Sequence, residues 1–145
     1  MAEISRTFAV RAPLPVVLDY LADWGNSREW DPGTISCVQI GDGPVEVGTE
    51  WRNVLRLLGR RVTVVFRREP AREGRFVFSG RNRGATSTDT ITCAGLDDGR
   101  TSITYHSQVR FHRTAKLFGP LLVREFERIG DRLVPQLTTA LEKRA

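Results

Sequence analysis

The sequence predicts an α+β domain, in which a curved antiparallel sheet of about seven strands wraps around a long C-terminal helix, with two short helices after the first strand. Three observations support this. From residue 35 to about residue 112, runs of alternating apolar and polar residues are separated by turn residues. After that segment, the apolar residues recur three or four positions apart, which is the period of a helix. The length of 145 residues suits one domain, 1–145.

The N-terminal elements follow from short local patterns. Residues 3–11 alternate in part and predict a strand that Pro13 ends. Val17, Leu18 and Leu21 then share one side of a predicted helix. The segment 23–26, Asp-Trp-Gly-Asn, breaks that helix, and residues 27–30 form a second short turn before Asp-Pro-Gly.

Six further strands are predicted between the glycine-rich and proline-rich turns. They are expected at residues 35–40, 49–57, 62–68, 75–82, 85–94 and 101–111. The last two are joined by Asp97-Asp98-Gly99, a strong hairpin signal.

The C-terminal third carries one continuous apolar stripe of helical period. Its members are Phe118, Leu122, Phe126, Ile129, Leu133, Leu137 and Leu141. Gly119-Pro120 is the expected start of the helix, since proline is tolerated in a first turn. Pro135 lies inside the helix and is expected to kink it, because its nitrogen cannot donate to the preceding turn.

A curved sheet and a single helix cannot fill all the space between them, so the predicted architecture leaves a cavity. Such cavities are mostly apolar with a few polar groups and are natural sites for small molecules. Strand parity indicates which side chains face it. In residues 86–93 the even positions are all threonine, which suits the outer face, so Asp89 and Ile91 are placed inside. The expected ligand-binding residues are Trp30, Trp51, Asn53, Phe66, Phe78, Asp89, Ile91, Tyr105, Ser107 and Phe126.

Asp89 is the most informative of these residues. A carboxylate facing an apolar cavity needs a partner, or its pKa must rise. One interpretation makes Asp89 a general acid/base, with Tyr105 as a second weak catalytic candidate and Asn53 assisting. The other makes it an ordinary structural residue, either paired with an arginine such as Arg81 or placed at an open rim of the cavity. The parity of the last strand sends His106 and His112, the only histidines in the sequence, outward, which disfavours both as catalytic bases.

Several segments resemble a known family. They are Phe8 to Pro13, Val16 to Trp24 and Glu29 to Gly33, and they resemble the opening of the polyketide cyclase/dehydrase-like branch of the SRPBCC (START-like) superfamily. The predicted order of elements also fits, so the resemblance covers essentially the whole chain. It implies a helix-grip fold and a hydrophobic cavity that binds lipids, polyketides, hormones or aromatic compounds. It implies no particular catalytic residues, because the family has no universal catalytic motif.

No cofactor or metal is expected. Cys37 and Cys93 are 56 positions apart and have no metal-binding or redox spacing. No phosphate-binding loop and no catalytic triad spacing is visible. The N-terminus carries no secretion signal and the chain no transmembrane segment, so we expect a cytoplasmic protein. A homodimer is left open.

The chain is basic, with a net charge of +5, and the excess is local. Ten arginines lie between Arg52 and Arg83, against two acidic residues, Glu69 and Glu73. The segment lacks the interleaved aromatic residues of a nucleic-acid-binding sheet, which disfavours nucleic acid as a partner. A solvated outer face is the simpler interpretation, although an inward Arg81 could contact Asp89 or an anionic ligand.

The sequence therefore favours binding of a small hydrophobic or aromatic ligand between the sheet and the C-terminal helix. The alternative is an enzyme of the cyclase/dehydratase type, using Asp89, Tyr105 and Asn53. A further alternative is an interaction module that meets nucleic acid, a ribosome or an anionic membrane through its basic surface.

Overall fold

The computed structural model describes residues 1–112 and 119–145. The strands are β1 (Ala2–Val10), β2 (Thr34–Ile40), β3 (Glu50–Leu57), β4 (Arg60–Glu69), β5 (Arg75–Arg81), β6 (Ala85–Gly95) and β7 (Thr101–Phe111). The helices are α1 (Leu14–Leu21), α2 (Ser27–Trp30) and α3 (Gly119–Glu142), with a short 3-10 helix (Trp24–Asn26) between α1 and α2. The predicted α+β architecture is confirmed.

The seven strands form one antiparallel sheet in the order β1-β7-β6-β5-β4-β3-β2. From β2 to β7 each strand pairs with its neighbour in sequence, as hairpins do, while β1 pairs with β7 across residues 2–10 and 101–109. The segment containing α1 and α2 therefore links the two edges of the sheet.

The core lies where α1, α2 and the second half of α3 meet the sheet. The Trp24 ring centroid lies 4.3 Å from that of Phe78 and 5.6 Å from that of Trp30. Leu137 and Leu141 of α3 are fully buried. Burial of each such large apolar side chain stabilises the fold by about 1.5–3 kcal/mol, so this end of the molecule is the well-packed one.

Gly130 lies where α3 packs against β1. A Cβ atom there would lie 3.1 Å from Ile4 Cδ1 and 3.3 Å from Arg6 Nη2, so these two side-chain ends would have to shift by a few tenths of an ångström to admit one. Arg6 also donates to Asp131 at 2.8 Å and to Glu127 at 3.0 Å. These ion pairs hold the middle of α3 against β1.

The described part of α3 runs without a break through Pro135. Phe118, which we expected to open the apolar stripe, lies outside the described residues. No helix in the described ranges is both long and apolar enough to cross a bilayer.

Most arginines of the arginine-rich segment point outward from the sheet, whereas Arg60 lines the inner face and the Arg68 guanidinium lies over the buried Phe76 ring. Most of the segment's arginines are exposed, and Arg68 and Arg75 are half-buried. Arg81 donates to Glu50 at 3.2 Å and its side chain is 62% exposed, so the inward contact with Asp89 that we considered for it is wrong. The same alternation that places Phe76 and Phe78 inside places Arg81 outside.

Candidate functional site

A cavity of about 610 Å³ lies between the concave face of the sheet and the first half of the described α3. Its lining is mostly apolar, and its volume is in the range of small-molecule sites. Residues at the β3–β4 turn, at the β5–β6 turn and near the start of α3 line its outer end. These are Leu57, Leu58, Arg60, Asn82, Gly84, Leu121 and Leu122. The exposed side chains among them, such as Leu121 at 53%, mark the mouth.

Two hairpins form the opposing walls of the cavity. On each wall the side chains that point inward belong to cross-strand pairs. From mouth to interior the β3–β4 pairs are Leu57 with Arg60, Leu55 with Val62 and Asn53 with Val64. The β6–β7 pairs are Ala85 with Phe111, Ser87 with Val109 and Asp89 with Ser107. On β3 and β6 the lining side chains become buried four residues in from Leu57 and Ala85, at Asn53 and Asp89, which is a depth of about 13 Å along a strand.

The inner end of the cavity gathers five polar side chains, which we call the polar floor: Asp31, Asn53, Asp89, Tyr105 and Ser107. Four of them are strongly buried, with exposures between 1% and 7%. Asp31 follows α2 and reaches the same place from a loop, so the polar floor is assembled from both the sheet and the helical segment.

Asp89 accepts hydrogen bonds from two neighbours on β7. The Tyr105 hydroxyl donates to Oδ2, and the Ser107 hydroxyl donates to Oδ1 at 3.0 Å. Burial raises the pKa of the Asp89 carboxyl from 3.8 to about 6, and the two hydroxyl donors offset part of that rise. The pKa of Tyr105 is raised well above its ordinary value, by burial and then by the negative charge of Asp89. The site therefore holds a carboxyl group that titrates near neutral pH.

Asp31 is the second carboxyl of the polar floor. Its Oδ1 accepts from the Gly33 backbone N–H at 3.0 Å, and its Oδ2 accepts from the Thr34 hydroxyl at 3.0 Å. Burial raises its pKa, which these two donors partly counter. The charge of Asp31 also raises the pKa of Asp89, so the two carboxyl groups disfavour each other's ionisation.

Three cavity-lining residues carry buried polar atoms that have no hydrogen-bond partner within the described chain. These atoms are Asn53 Oδ1, Trp24 Nε1 and Ser87 Oγ. A buried polar group without a partner costs free energy. All three residues line the cavity, but these atoms themselves have almost no accessible surface, so a ligand does not reach them without a side-chain movement.

The mouth is braced by a contact between the β3–β4 turn and α3. Glu125, which is 7% exposed, accepts from the Leu58 backbone N–H at 2.7 Å and also from Arg128. Leu58 has a φ of 50° and Gly59 a φ of 78°, as a type I′ turn requires. A leucine rarely adopts that conformation, so the turn holds Leu58 beside the mouth at a conformational cost.

Six of the expected ligand-binding residues line the cavity: Asn53, Phe66, Asp89, Tyr105, Ser107 and Phe126. The other four are packed into the core and are absent from the cavity lining: Trp30, Trp51, Phe78 and Ile91. The Trp51 indole N–H donates to Asp23 at 3.1 Å, which gives this ring a structural partner. His106 and His112 are half-buried and contact Glu3 and Thr86 respectively.

The sequence reasoning missed two cavity residues near the short helices. Trp24 and Asp31 were treated as parts of helix-ending turns. The sequence did contain a signal for Trp24: turn chemistry explains an aspartate such as Asp31, but it does not explain a tryptophan.

Neither cysteine has a metal-binding environment. Burial raises the pKa of Cys37 to about 11 and that of Cys93 to about 12, which keeps both as thiols. Within residues 1–112 and 119–145, no three His, Cys, Asp or Glu side chains converge as metal ligands would.

Comparison with known protein families shows which family the chain belongs to. The family model described as "Polyketide cyclase / dehydrase and lipid transport" matches residues 1–143. The chain belongs to this family. A search of curated proteins found no match.

Several solved structures are similar in fold to this family member. A START superfamily protein from Mycobacterium smegmatis superposes with a TM-score of 0.82 at 13% identity, covering 99% of each chain. The Zhui aromatase/cyclase from a Streptomyces species gives 0.75 at 15% identity, covering 97% of this chain and 91% of that one. A protein from Thermus thermophilus gives 0.75 at 18% identity, covering 98% of this chain and 95% of that one. The chain therefore has the helix-grip START fold that its sequence predicts.

Proposed function

We propose that this polyketide cyclase/dehydrase family member binds a small hydrophobic or aromatic ligand, lipid-like or polyketide-like, in the cavity between the sheet and α3. The observation that carries the proposal is the form of the cavity: about 610 Å³, with apolar walls and a polar floor at its inner end. Apolar walls supply affinity, and a few fixed polar groups supply orientation.

The driving force is removal of apolar surface from water. Leu55, Val62 and Val64 on one wall face Val109 and Phe111 on the other. A ligand that covers about 200 Å² of such surface gains roughly 5 kcal/mol before the cost of its own immobilisation. A gain of this size alone corresponds to a Kd of about 0.2 mM at best, so tighter binding needs a larger buried area or hydrogen bonds to the polar floor as well.

A ligand screen tests the proposal. Thermal shift and native mass spectrometry would be run with fatty alcohols, fatty acids, and polyphenolic and polyketide-like aromatics. We expect stoichiometric binding with an upward Tm shift for at least one class. The absence of stabilisation by every member of the panel would refute the proposal.

Two matched variants locate the binding. Val62→Phe places a ring on the cavity wall and should reduce the affinity of any hit at least tenfold. Thr63→Phe puts the same ring on the exposed outer face of the same strand and should leave affinity unchanged. Equal affinity of both variants would place the ligand outside the cavity.

A second candidate function is catalysis of the cyclase or dehydratase type. The observation that favours it is the Asp89 carboxyl, whose pKa of about 6 suits a general acid/base near neutral pH. Tyr105 orients the Asp89 carboxyl through its hydrogen bond, and Asn53 lies in the same polar floor. A structural neighbour that is named an aromatase/cyclase also supports a catalytic function.

Turnover measurements separate the two functions. With an identified carbonyl substrate, Asp89→Asn should lower kcat by about 10²-fold or more if Asp89 transfers the proton. Unchanged turnover in Asp89→Asn would remove Asp89 from the mechanism, whereas no turnover of any bound carbonyl compound by the wild type would leave binding as the function.

A further inference from the structure

The hydroxyl groups beside Asp89 have no proton left to offer a ligand. Tyr105 and Ser107 each donate their one proton to an oxygen of Asp89. At Asp31, the Thr34 hydroxyl is likewise directed at the carboxyl group. A carboxylate oxygen that accepts one hydrogen bond can still accept another. Around its two carboxyl groups the polar floor therefore presents acceptors.

A ligand hydroxyl can donate to such an acceptor. Asn53 Oδ1 and Trp24 Nε1 also lack hydrogen-bond partners, but both atoms are closed off from the cavity, in residues that are 1% and 2% exposed. The accessible acceptors at the inner end are therefore those of the two carboxyl groups. A hydroxyl group can donate and accept at once, whereas an ether or a carboxylate only accepts.

The distribution of charge in the cavity also disfavours a negatively charged group at the inner end. Asp31 and Asp89 lie at the inner end, and the one basic residue among the described lining residues is Arg60. Arg60 pairs with Leu57 at the tip of the β3–β4 hairpin, about 13 Å along the strand from Asn53. A carboxylate placed at the inner end would meet two acidic groups with no cation beside it among these residues.

We propose that the cavity selects ligands that enter with a neutral hydroxyl, phenolic or alcoholic, directed at the polar floor, and that it rejects a carboxylate in that position. The selection rests on the binding function proposed above. A ligand that also carries an acidic group would leave that group at the mouth, near Arg60.

Three probes with one carbon skeleton test the selection: 2-naphthol, 2-methoxynaphthalene and 2-naphthoate. Each is titrated calorimetrically into the protein at neutral pH. We expect 2-naphthol to bind about tenfold more tightly than 2-methoxynaphthalene, the difference that one hydrogen bond makes. We expect 2-naphthoate to bind more weakly than both, because its charge is not compensated at the polar floor.

Substitution of the two aspartates tests whether their carboxyl groups cause the selection. Asp31→Asn and Asp89→Asn, alone and combined, should each strengthen 2-naphthoate binding relative to 2-naphthol, by about tenfold in the double variant. Asp19→Asn removes an exposed carboxyl from the outer side of α1 and should change none of the three affinities. Circular dichroism on each variant verifies that it is folded, and an unfolded variant is replaced by the corresponding Asp→Ser.

The outcomes separate the two proposals. If 2-methoxynaphthalene or 2-naphthoate binds as tightly as 2-naphthol, the selection is refuted while binding in the cavity stands. If the variants leave the order of affinities unchanged, the two carboxyl groups do not set it, and the selection as proposed is likewise overturned. If no probe binds and the broader screen also finds nothing, the binding function itself fails.

Discussion

Replacing Asp89 by asparagine should change how the stability of the protein depends on pH. The pKa of the buried carboxyl is raised to about 6, against an ordinary value of 3.8. Between these two values the folded state holds a proton that the unfolded state has lost. The free energy of unfolding contributed by this group therefore falls as pH rises through this interval and levels off above it.

The size of the effect follows from the same two values. A difference of one in pKa corresponds to about 1.4 kcal/mol. The interval from 3.8 to about 6 then corresponds to roughly 3 kcal/mol of destabilisation in the wild type at neutral pH. Asparagine keeps an acceptor for the Tyr105 hydroxyl but carries no charge, so Asp89→Asn should be free of this penalty.

Urea denaturation at a series of pH values measures the effect. We expect the free energy of unfolding of Asp89→Asn, minus that of the wild type, to increase from about pH 4 to about pH 6 and then to remain constant. Taking the difference cancels other titrating groups, such as Glu3 and Glu29, whose lowered pKa values act in the opposite direction. A difference that is flat across this interval would refute the burial argument for Asp89.

Three further substitutions probe the walls and the mouth of the cavity. Gly80→Ala should destabilise the protein by about 1–3 kcal/mol, because a Cβ there would lie 2.6 Å from the Phe66 ring; Gly43→Ala, where nothing lies within 4 Å, is the control. Leu58→Asn should stabilise it by about 0.5–1 kcal/mol, since asparagine tolerates a positive φ better than leucine. Glu125→Ala should cost about 1–2 kcal/mol and speed ligand release, whereas Glu125→Gln keeps an acceptor for the Leu58 N–H and should cost less.

Denaturation curves and stopped-flow release rates check these expectations. A Gly80→Ala protein as stable as Gly43→Ala would mean that the Phe66 ring moves aside freely. Loss of stability in Leu58→Asn would show that the leucine side chain contributes more at the mouth than its backbone conformation costs. Equal release rates for the two Glu125 variants would exclude the hydrogen bond as the brace.

Strand parity predicted which face each side chain occupies, because alternation is a local property of the backbone. It placed Asp89 and Tyr105 inside, where both are buried. Parity carries no information on depth along the strand or on what packs above it. Trp51 and Ile91 face the same side but are covered by α1, α2 and the end of α3, so they belong to the core and not to the cavity lining.

Hydrophobic periodicity could not predict the loop residues of the site. Trp24 and Asp31 lie in short segments whose position depends on packing between α1, α2 and the sheet. The raised pKa of Asp89 depends partly on Asp31, which is 58 positions away in sequence. Such long-range encounters appear only once the chain is folded.

The position of β1 has a consequence for synthesis of the chain. Of the seven strands, β1 leaves the ribosome first, yet it pairs with the last, β7, and so has no sheet neighbour until residue 111 has been made. Contacts between residues so far apart in sequence form slowly, and an incomplete sheet exposes an unpaired edge. A chain that stalls before β7 is complete would therefore present an open strand edge and the apolar walls of an unfinished cavity, and should be a target for chaperones or for aggregation.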